Sequence, residues 1–415
     1  MKKFLSCLLI TAVLLLPSLS GCYYVTEVST DTARIVSNVE VETESAETSE
    51  TTETTETSET TEKYRVISYV TVPASENWRW IGTDEQGGEV TSAVNVENIT
   101  HINFAFGMIE AYQFDPDKPG RPLQNDDGTV SQEAYLDPED GSFHYKATVK
   151  GWIEEMDKEV DGSRYLPALV KLREKKPSLK VLLSVGGWDS DGFCYMAKTD
   201  DSRAEFIESL IDLIKEYDLD GIDLDWEYPT NGGWGAIASC PTCVSDAKTL
   251  LKETRSAFSE TFPEENKLLT IASGAGQAWV DADTLACLDY MNVMCYDYDP
   301  ADKSRNQSDM NFAKEGMAYN VKLAGANKEL YSKFNLGVPF YNWGGPNLVP
   351  YYKAWDGKIS TSPDILRQKM EWVKQQGYGG AFYWAYSMDI FEGDESATAD
   401  NAEILQRTVW QVLND

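Results

Sequence analysis

Eight short apolar runs with strand character, separated by longer stretches of helical periodicity, leave this chain little choice of architecture. The strand candidates are Arg65 to Val72, His101 to Gly107, Lys180 to Gly186, Gly221 to Glu227, Leu268 to Gly274, Tyr290 to Asp297, Phe334 to Phe340 and Gly379 to Tyr386. Helices are expected over Ser163 to Lys175, Ser202 to Tyr217, Val244 to Phe262, Asn311 to Ala326, Ser362 to Gln376 and Ala399 to Leu413, with shorter ones at Ala93 to Ile99 and Asp281 to Cys287. In Ser202 to Tyr217 the residues Phe206, Leu210, Leu213, Ile214 and Tyr217 recur at intervals of three and four. One face is therefore apolar, and Ser202 is placed to cap the start. Strands alternating with helices build a parallel sheet, and eight of each close into a (β/α)8 TIM barrel with its active site at the carboxyl ends of the strands. The connection from Met108 to Gly162 is long, polar and rich in Gly and Pro. It is expected as an extended loop on the active-site face, shaping a substrate groove.

Composition narrows the chemistry. A formal charge of −32 argues against nucleic acid as a partner, because neutralising a phosphate backbone takes clustered Lys and Arg. A neutral or cationic polymer fits better, and 12 Trp with 22 Tyr point to stacking surfaces. His101 and His144 are the only histidines, so His-rich metal sites and Ser-His-Asp or Cys-His catalysis are hard to assemble. No metal or other cofactor is expected, and carboxylates and aromatics must carry the chemistry. Cys194, Cys240, Cys243, Cys287 and Cys295 stand in the expected barrel, an odd number. The Cys240-Pro-Thr-Cys243 pair reads as a loop-stapling disulfide or two thiols; half a metal site is the other reading, but no second pair or nearby His completes it.

The N-terminus carries Lys2 and Lys3, a mostly apolar run from Phe4 to Leu16, and small residues before Cys22. This is the layout of a secretory signal, too short to span a bilayer. Leu19-Ser20-Gly21-Cys22 resembles the lipobox of bacterial lipoproteins, which implies removal of residues 1–21 and lipid attachment at Cys22; plain secretion is the alternative. Residues 26–63 are dominated by Thr, Ser, Glu and Val and end in a near three-residue repeat, Thr51 to Glu62. Such a segment cannot bury a core, and its like charges extend it into a tether. The expected organisation is a signal peptide (1–21), a lipid-anchored linker (22–63) and a catalytic domain (64–415), acting as a monomer on the outer face of a bacterial cell membrane.

Within Asp-Gly-Ile-Asp-Leu-Asp-Trp-Glu (Asp220 to Glu227), the acids Asp223, Asp225 and Glu227 sit two residues apart. A strand points all three into the barrel, while Ile222, Leu224 and Trp226 face the helices. Three converging carboxylates cost desolvation and repel one another, an arrangement suited to a site where they share protons. Repulsion raises the pKa of one member and keeps it protonated as a general acid. Glu227, nearest the mouth, is the expected proton donor, with Asp225 below it and Asp223 backing Asp225. Asp220 breaks the two-residue phase and falls at the strand entry.

The segment DGIDLDWEYP (Asp220 to Pro229) resembles the DxxDxDxE signature of family 18 glycoside hydrolases, the chitinase family. The likeness continues in order: Ile102 to Phe106 with the second strand, Ser184 to Trp188 with the SxGG strand, Met294 to Asp297 with MxYD, and Trp384 with the last-strand tryptophan. It covers about Tyr64 to Asp415. The resemblance implies a retaining mechanism in which the substrate's N-acetyl group replaces an enzyme nucleophile. Glu227 is then acid and base, Asp225 supports the acetamido group with Asp223 behind it, and Tyr296 donates its hydroxyl to the same carbonyl. Tyr69, Phe106, Gly187, Trp188, Tyr228, Met294, Asp297 and Trp384 are the implied substrate-binding positions, with Trp384 under the distorted sugar. The implied substrate is chitin or another N-acetylglucosamine glycan.

Two departures qualify the likeness. The stretch from Phe340 to the last strand is too short for the α+β insertion that walls many chitinase grooves, which suggests an open cleft and internal cuts. After the last strand, Ser387-Met388-Asp389 differs from the common pattern and leaves Asp389 without a role. Two rivals stand beside a chitinase. One is an endo-β-N-acetylglucosaminidase acting on N-glycan cores. The other is a non-catalytic carbohydrate-binding lipoprotein, which the acid at Glu227 disfavours.

Overall fold

The computed structural model describes residues 62–71, 80–81, 90–126, 128–153, 158–188, 192–230, 240–297, 308–344, 347–350, 361–389 and 403–415. The expected signal peptide, Cys22 and nearly all of the tether lie outside the described residues. No helix among the described residues is long and apolar enough to cross a membrane.

Eight parallel strands form a closed barrel: β1 Arg65–Thr71, β2 His101–Ile109, β3 Lys180–Gly186, β4 Gly221–Asp225, β5 Leu268–Gly274, β6 Tyr290–Met294, β7 Phe334–Pro339 and β8 Gly380–Trp384. Each pairs with its sequence neighbours, and β1 pairs with both β8 and β2, which closes the ring. Burial on both faces explains why these runs read as nearly continuous apolar segments. Each of β1 to β7 also buries at least one polar side chain: Ser68, Asn103, Ser184, Asp223 with Asp225, Thr270 with Ser273, Asn292 and Asn335.

The outer layer contains α1 Leu166–Val170, α2 Phe193–Met196, α3 Asp200–Tyr217, α4 Cys243–Thr261, α5 Ala282–Cys287, α6 Met310–Leu323, α7 Pro363–Gln376 and α8 Ile404–Asn414. Helix α3 starts earlier than its apolar periodicity suggests. Thr199, not Ser202, is its N-cap, and Ser202 closes a capping box from the third helical position. Helix α7 is capped by Ser362 and stopped by Gly377 at φ 81°, a left-handed turn that Gly adopts without a Cβ penalty. The expected helix over Ser163 to Lys175 is broken into 3₁₀ turns around the five-residue α1.

The helix expected at Ala93 to Ile99 is absent. Val94, Val96 and Ile99 are buried, and Val94 and Val96 follow an alternating rather than helical period. The Asn95 side chain accepts the Glu97 amide, giving the backbone a local alternative to helix. The segment Met108 to Gly162 is also more ordered than a loop. Ala147–Thr148 pairs antiparallel with the end of β2, Lys150–Ile153 pairs with Lys158–Asp161, and Val130, Ala134, Tyr135, Tyr145 and Val149 join the core. His144 fastens this excursion to α3, its Nδ1 lying 2.6 Å from Glu205 and its Nε2 3.0 Å from Asp140. Between β7 and α7 the described residues hold a hairpin, Tyr341–Gly344 with Asn347–Pro350, and no α+β domain.

Candidate active site

The expected strand Gly221 to Glu227 ends at Asp225, so Asp223 and Asp225 stand on β4 while Trp226 and Glu227 follow its carboxyl end. Asp223, Asp225 and Glu227 are all buried. Ile222, Leu224 and Trp226 join the outer core as their phase requires, and the Trp226 ring stacks on Phe193 of α2 at 5.3 Å. Asp220 lies at the other end of β4, accepting the Val181 amide at 2.8 Å and the Lys180 ammonium at 3.1 Å. It is a structural tie between strands.

The two glycines of Ser184-Val185-Gly186-Gly187-Trp188 let β3 press against this strand end. A Cβ on Gly186 would meet the Asp225 carbonyl oxygen at 2.2 Å, and one on Gly187 would meet the Phe106 ring at 2.6 Å. Both hold positive φ, 123° and 88°. The Gly187 amide donates to the Asp225 carbonyl at 2.8 Å, so its place in the site is to fix the backbone under Asp225.

Asp223 receives three side-chain hydrogen bonds: Tyr69 OH at 2.8 Å and Ser184 Oγ at 2.9 Å to Oδ2, and Thr270 Oγ1 to Oδ1. Burial raises its pKa, and these donors pull the other way by stabilising the charged form. Among the described residues, no donor gives Asp225 such support. Burial pushes its carboxyl well above the usual range, and the Glu227 and Asp223 charges add to the rise. Its Oδ1 is buried without a hydrogen-bond partner among the described residues. Burial and the neighbouring charges therefore favour the protonated form of Asp225, with Asp223 below it as the carboxyl whose charge is supported by donors.

Tyr296 is buried next to this group, and its hydroxyl is held protonated by burial first and then by the charges of Asp297, Asp225 and Glu227. Tyr228 is likewise raised by burial and by Glu227. The partly buried Trp384 stacks on Phe106 at 5.4 Å and lies 5.8 Å from Tyr69, making an aromatic floor across β1, β2 and β8. Met294 belongs to the same buried apolar cluster as Tyr296 and Tyr69. Trp188 is 42% exposed, a large apolar side chain at the end of β3 rather than a core residue. Asp297, at φ 53°, accepts a 2.6 Å hydrogen bond from Tyr341. The peptide bonds Ala105-Phe106, Glu227-Tyr228 and Trp384-Ala385 are cis.

The structure adds participants that the sequence alone did not single out. Thr270 and Ser184 are the β5 and β3 partners of Asp223 in register. Asn292 and Asn335 continue the network behind Tyr69, and Tyr341 holds Asp297. For Thr270, Ser184, Asn292 and Asn335 the signal was polarity inside otherwise apolar strand runs; Tyr341 carried none. Asp389 serves the fold: its Oδ2 accepts the Leu405 and Gln406 amides at 2.9 Å each and caps α8.

The sequence model for Glycosyl hydrolases family 18 matches residues 65–389. Chitinase A1 of Niallia circulans is 28% identical over 313 residues, which is 56% of this chain and 43% of that protein. Chitinase C of Streptomyces lividans is 26% identical over 386 residues, 77% of this chain and 57% of that protein. The chain thus spans about half the length of these curated relatives. Among solved structures, chitinase ChiA74 from Bacillus thuringiensis superposes with a TM-score of 0.58 at 21% identity, covering 85% of this chain and 70% of that one, a likeness of fold. With the family model covering β1 through the end of β8, the chain belongs to glycosyl hydrolases family 18.

Proposed function

We propose that this protein is a chitinase, cutting β-1,4-linked N-acetylglucosamine chains by a retaining mechanism in which the substrate's acetamido group is the nucleophile. The observation that carries the reading is Asp225: buried, its pKa raised, one carboxyl oxygen without a partner among the described residues, and close to the charge of Glu227 and to Tyr296. A substrate N–H supplies the missing partner, and Asp225 then steadies the acetamido group while its carbonyl oxygen attacks the anomeric carbon. Tyr296, held as a hydroxyl, donates to that carbonyl. Glu227 protonates the leaving glycosidic oxygen, and afterwards takes a proton from the water that opens the oxazolinium-like intermediate. Asp223 balances the charge beneath. Trp384 forms the floor of the sugar site and Trp188 a neighbouring stacking surface.

Glu227→Gln is the direct test of this assignment. Turnover of a fluorogenic N,N′-diacetylchitobioside should vanish in the variant; unchanged turnover contradicts it. Products from chitin oligomers and from a high-mannose glycoprotein, compared side by side, separate a chitinase from an endo-β-N-acetylglucosaminidase. An open cleft, with no α+β wall among the described residues, favours internal cuts, so a chitin hexamer should yield dimers to tetramers early. Export and anchoring through Cys22 complete the proposal. Cys22→Ser should release the enzyme from the membrane fraction, and an unchanged distribution speaks against the lipid.

A further inference from the structure

Cys240 and Cys243 are joined as a disulfide, which agrees with the loop-staple reading of their spacing. Nothing in the sequence brings a third cysteine to them, but the fold does. Cys194, on α2, places its Sγ 3.1 Å from Cys243 Sγ, and the three sulfurs all lie within 4.8 Å of one another. Cys194 and Cys243 are buried, while Cys240 is only partly so. Cys243 is the first residue of the 19-residue α4, where the helix dipole favours negative charge on sulfur.

We propose that these three cysteines form a thiol–disulfide exchange site with Cys243 as the shared sulfur. Cys194, as thiolate, attacks Cys243 Sγ; the Cys194–Cys243 bond forms, the Cys240–Cys243 bond breaks, and Cys240 leaves as thiolate. The proton that Cys194 gives to solvent is matched by the one Cys240 takes up, and no electron enters or leaves. The contact singles out Cys243 as the sulfur attacked, and the more exposed Cys240 is the leaving group that water can solvate.

The two pairings differ in what they tie together. Cys240–Cys243 ties the end of the single connection from β4 to α4 to the first residue of that helix. Cys194–Cys243 joins the end of that connection, which carries Glu227, to the β3–α3 connection, which carries Trp188. A bridge across 49 residues constrains the unfolded chain more than one across three, so the exchanged form is the more heat-resistant. The site is independent of the glycosidase reading, and its test uses no substrate.

The protein is equilibrated in glutathione buffers of graded oxidised-to-reduced ratio, quenched in acid, alkylated and mapped by peptide mass spectrometry. The proposal expects both Cys240–Cys243 and Cys194–Cys243 peptides in the wild type, interconverting faster at higher pH as more Cys194 becomes thiolate. In Cys240→Ser, oxidised glutathione should drive Cys194–Cys243 formation and raise the Tm above that of the reduced variant. Four results overturn it: only Cys240–Cys243 at every ratio, a Cys194–Cys240 bridge, no bridge at all, or a stoichiometric metal ion held by the three sulfurs. The wild-type map decides even where the variant fails to fold.

Discussion

The Tyr69 hydroxyl donates a 2.8 Å hydrogen bond to Asp223 Oδ2, and this bond is the last link of a chain of donors that crosses the barrel. Arg65 Nε donates to Asn335 Oδ1 at 3.0 Å, Asn335 Nδ2 to Asn292 Oδ1 at 3.0 Å, and Asn292 Nδ2 to Tyr69 OH at 3.3 Å. Every link points the same way, from a cation toward a carboxylate, so each polarises the next. Asp223 thereby resists the protonation that burial favours, whereas burial and the charges of Glu227 and Asp223 raise the pKa of Asp225 above it.

Tyr69→Phe removes the final donor. A hydrogen bond to a charged group contributes about 1.5–3 kcal/mol, so kcat should fall about ten- to a hundredfold. With less support for its charge, Asp223 titrates at higher pH, and the acid limb of the kcat profile should move up. A kcat loss with an unmoved acid limb would leave Tyr69 as packing alone.

Gly186→Ala places a Cβ where the Asp225 carbonyl already sits, on a backbone at φ 123°. Neither strand end can yield without moving Asp225. We expect a loss of at least about 2 kcal/mol in denaturant unfolding, and lower kcat in whatever folds. A variant of unchanged stability and activity would show that the close approach of β3 to β4 is dispensable.

His101 makes stability depend on pH. Burial, helped by Arg65, Lys180 and Lys176, lowers its pKa to about 3, against 6.5 for the free side chain. The unfolded chain binds this proton more readily. The contribution is therefore complete above about pH 6.5 and is lost as pH falls toward 3, by up to about 1.4 kcal/mol per unit. His101→Gln should flatten the unfolding free energy between pH 6.5 and 4; an equally steep curve assigns the dependence to other groups.

Asp389→Ala should lower stability by about 1–2 kcal/mol through the lost α8 cap, with kcat per folded molecule unchanged. Paired thermal melts and active-site-normalised kinetics check this. A kcat loss without a change in Tm would move Asp389 into the catalytic machinery.

The barrel was legible because each strand carries its own apolar run, and the carboxylate stack was legible because alternation in a strand is local. Asp223, Asp225 and Glu227 declare their common direction by spacing alone. What stayed hidden depends on contacts between distant segments. Cys194 meets Cys243 only after α2 and α4 pack, and Tyr341 gives no sign in sequence that it holds Asp297. The Ala93 to Ile99 error has a different cause: a short apolar run has no period long enough to separate a helix from buried extended chain, and the Asn95 side chain tips the balance. Asp389 went unassigned because its partners, Leu405 and Gln406, belong to a helix that the chain reaches only after it has left the site.

The central claim is that the second catalytic group belongs to the substrate, with Glu227 as proton donor and Asp225 steadying the acetamide. Aryl glycosides of chitobiose with both N-acetyl groups intact and with both removed, given to the wild-type enzyme under the same conditions, test it most directly. We predict hydrolysis of the acetylated compound with retention at the anomeric carbon, and no detectable turnover of the deacetylated one. Comparable kcat/KM for the two compounds would contradict the account and require a nucleophile from the protein.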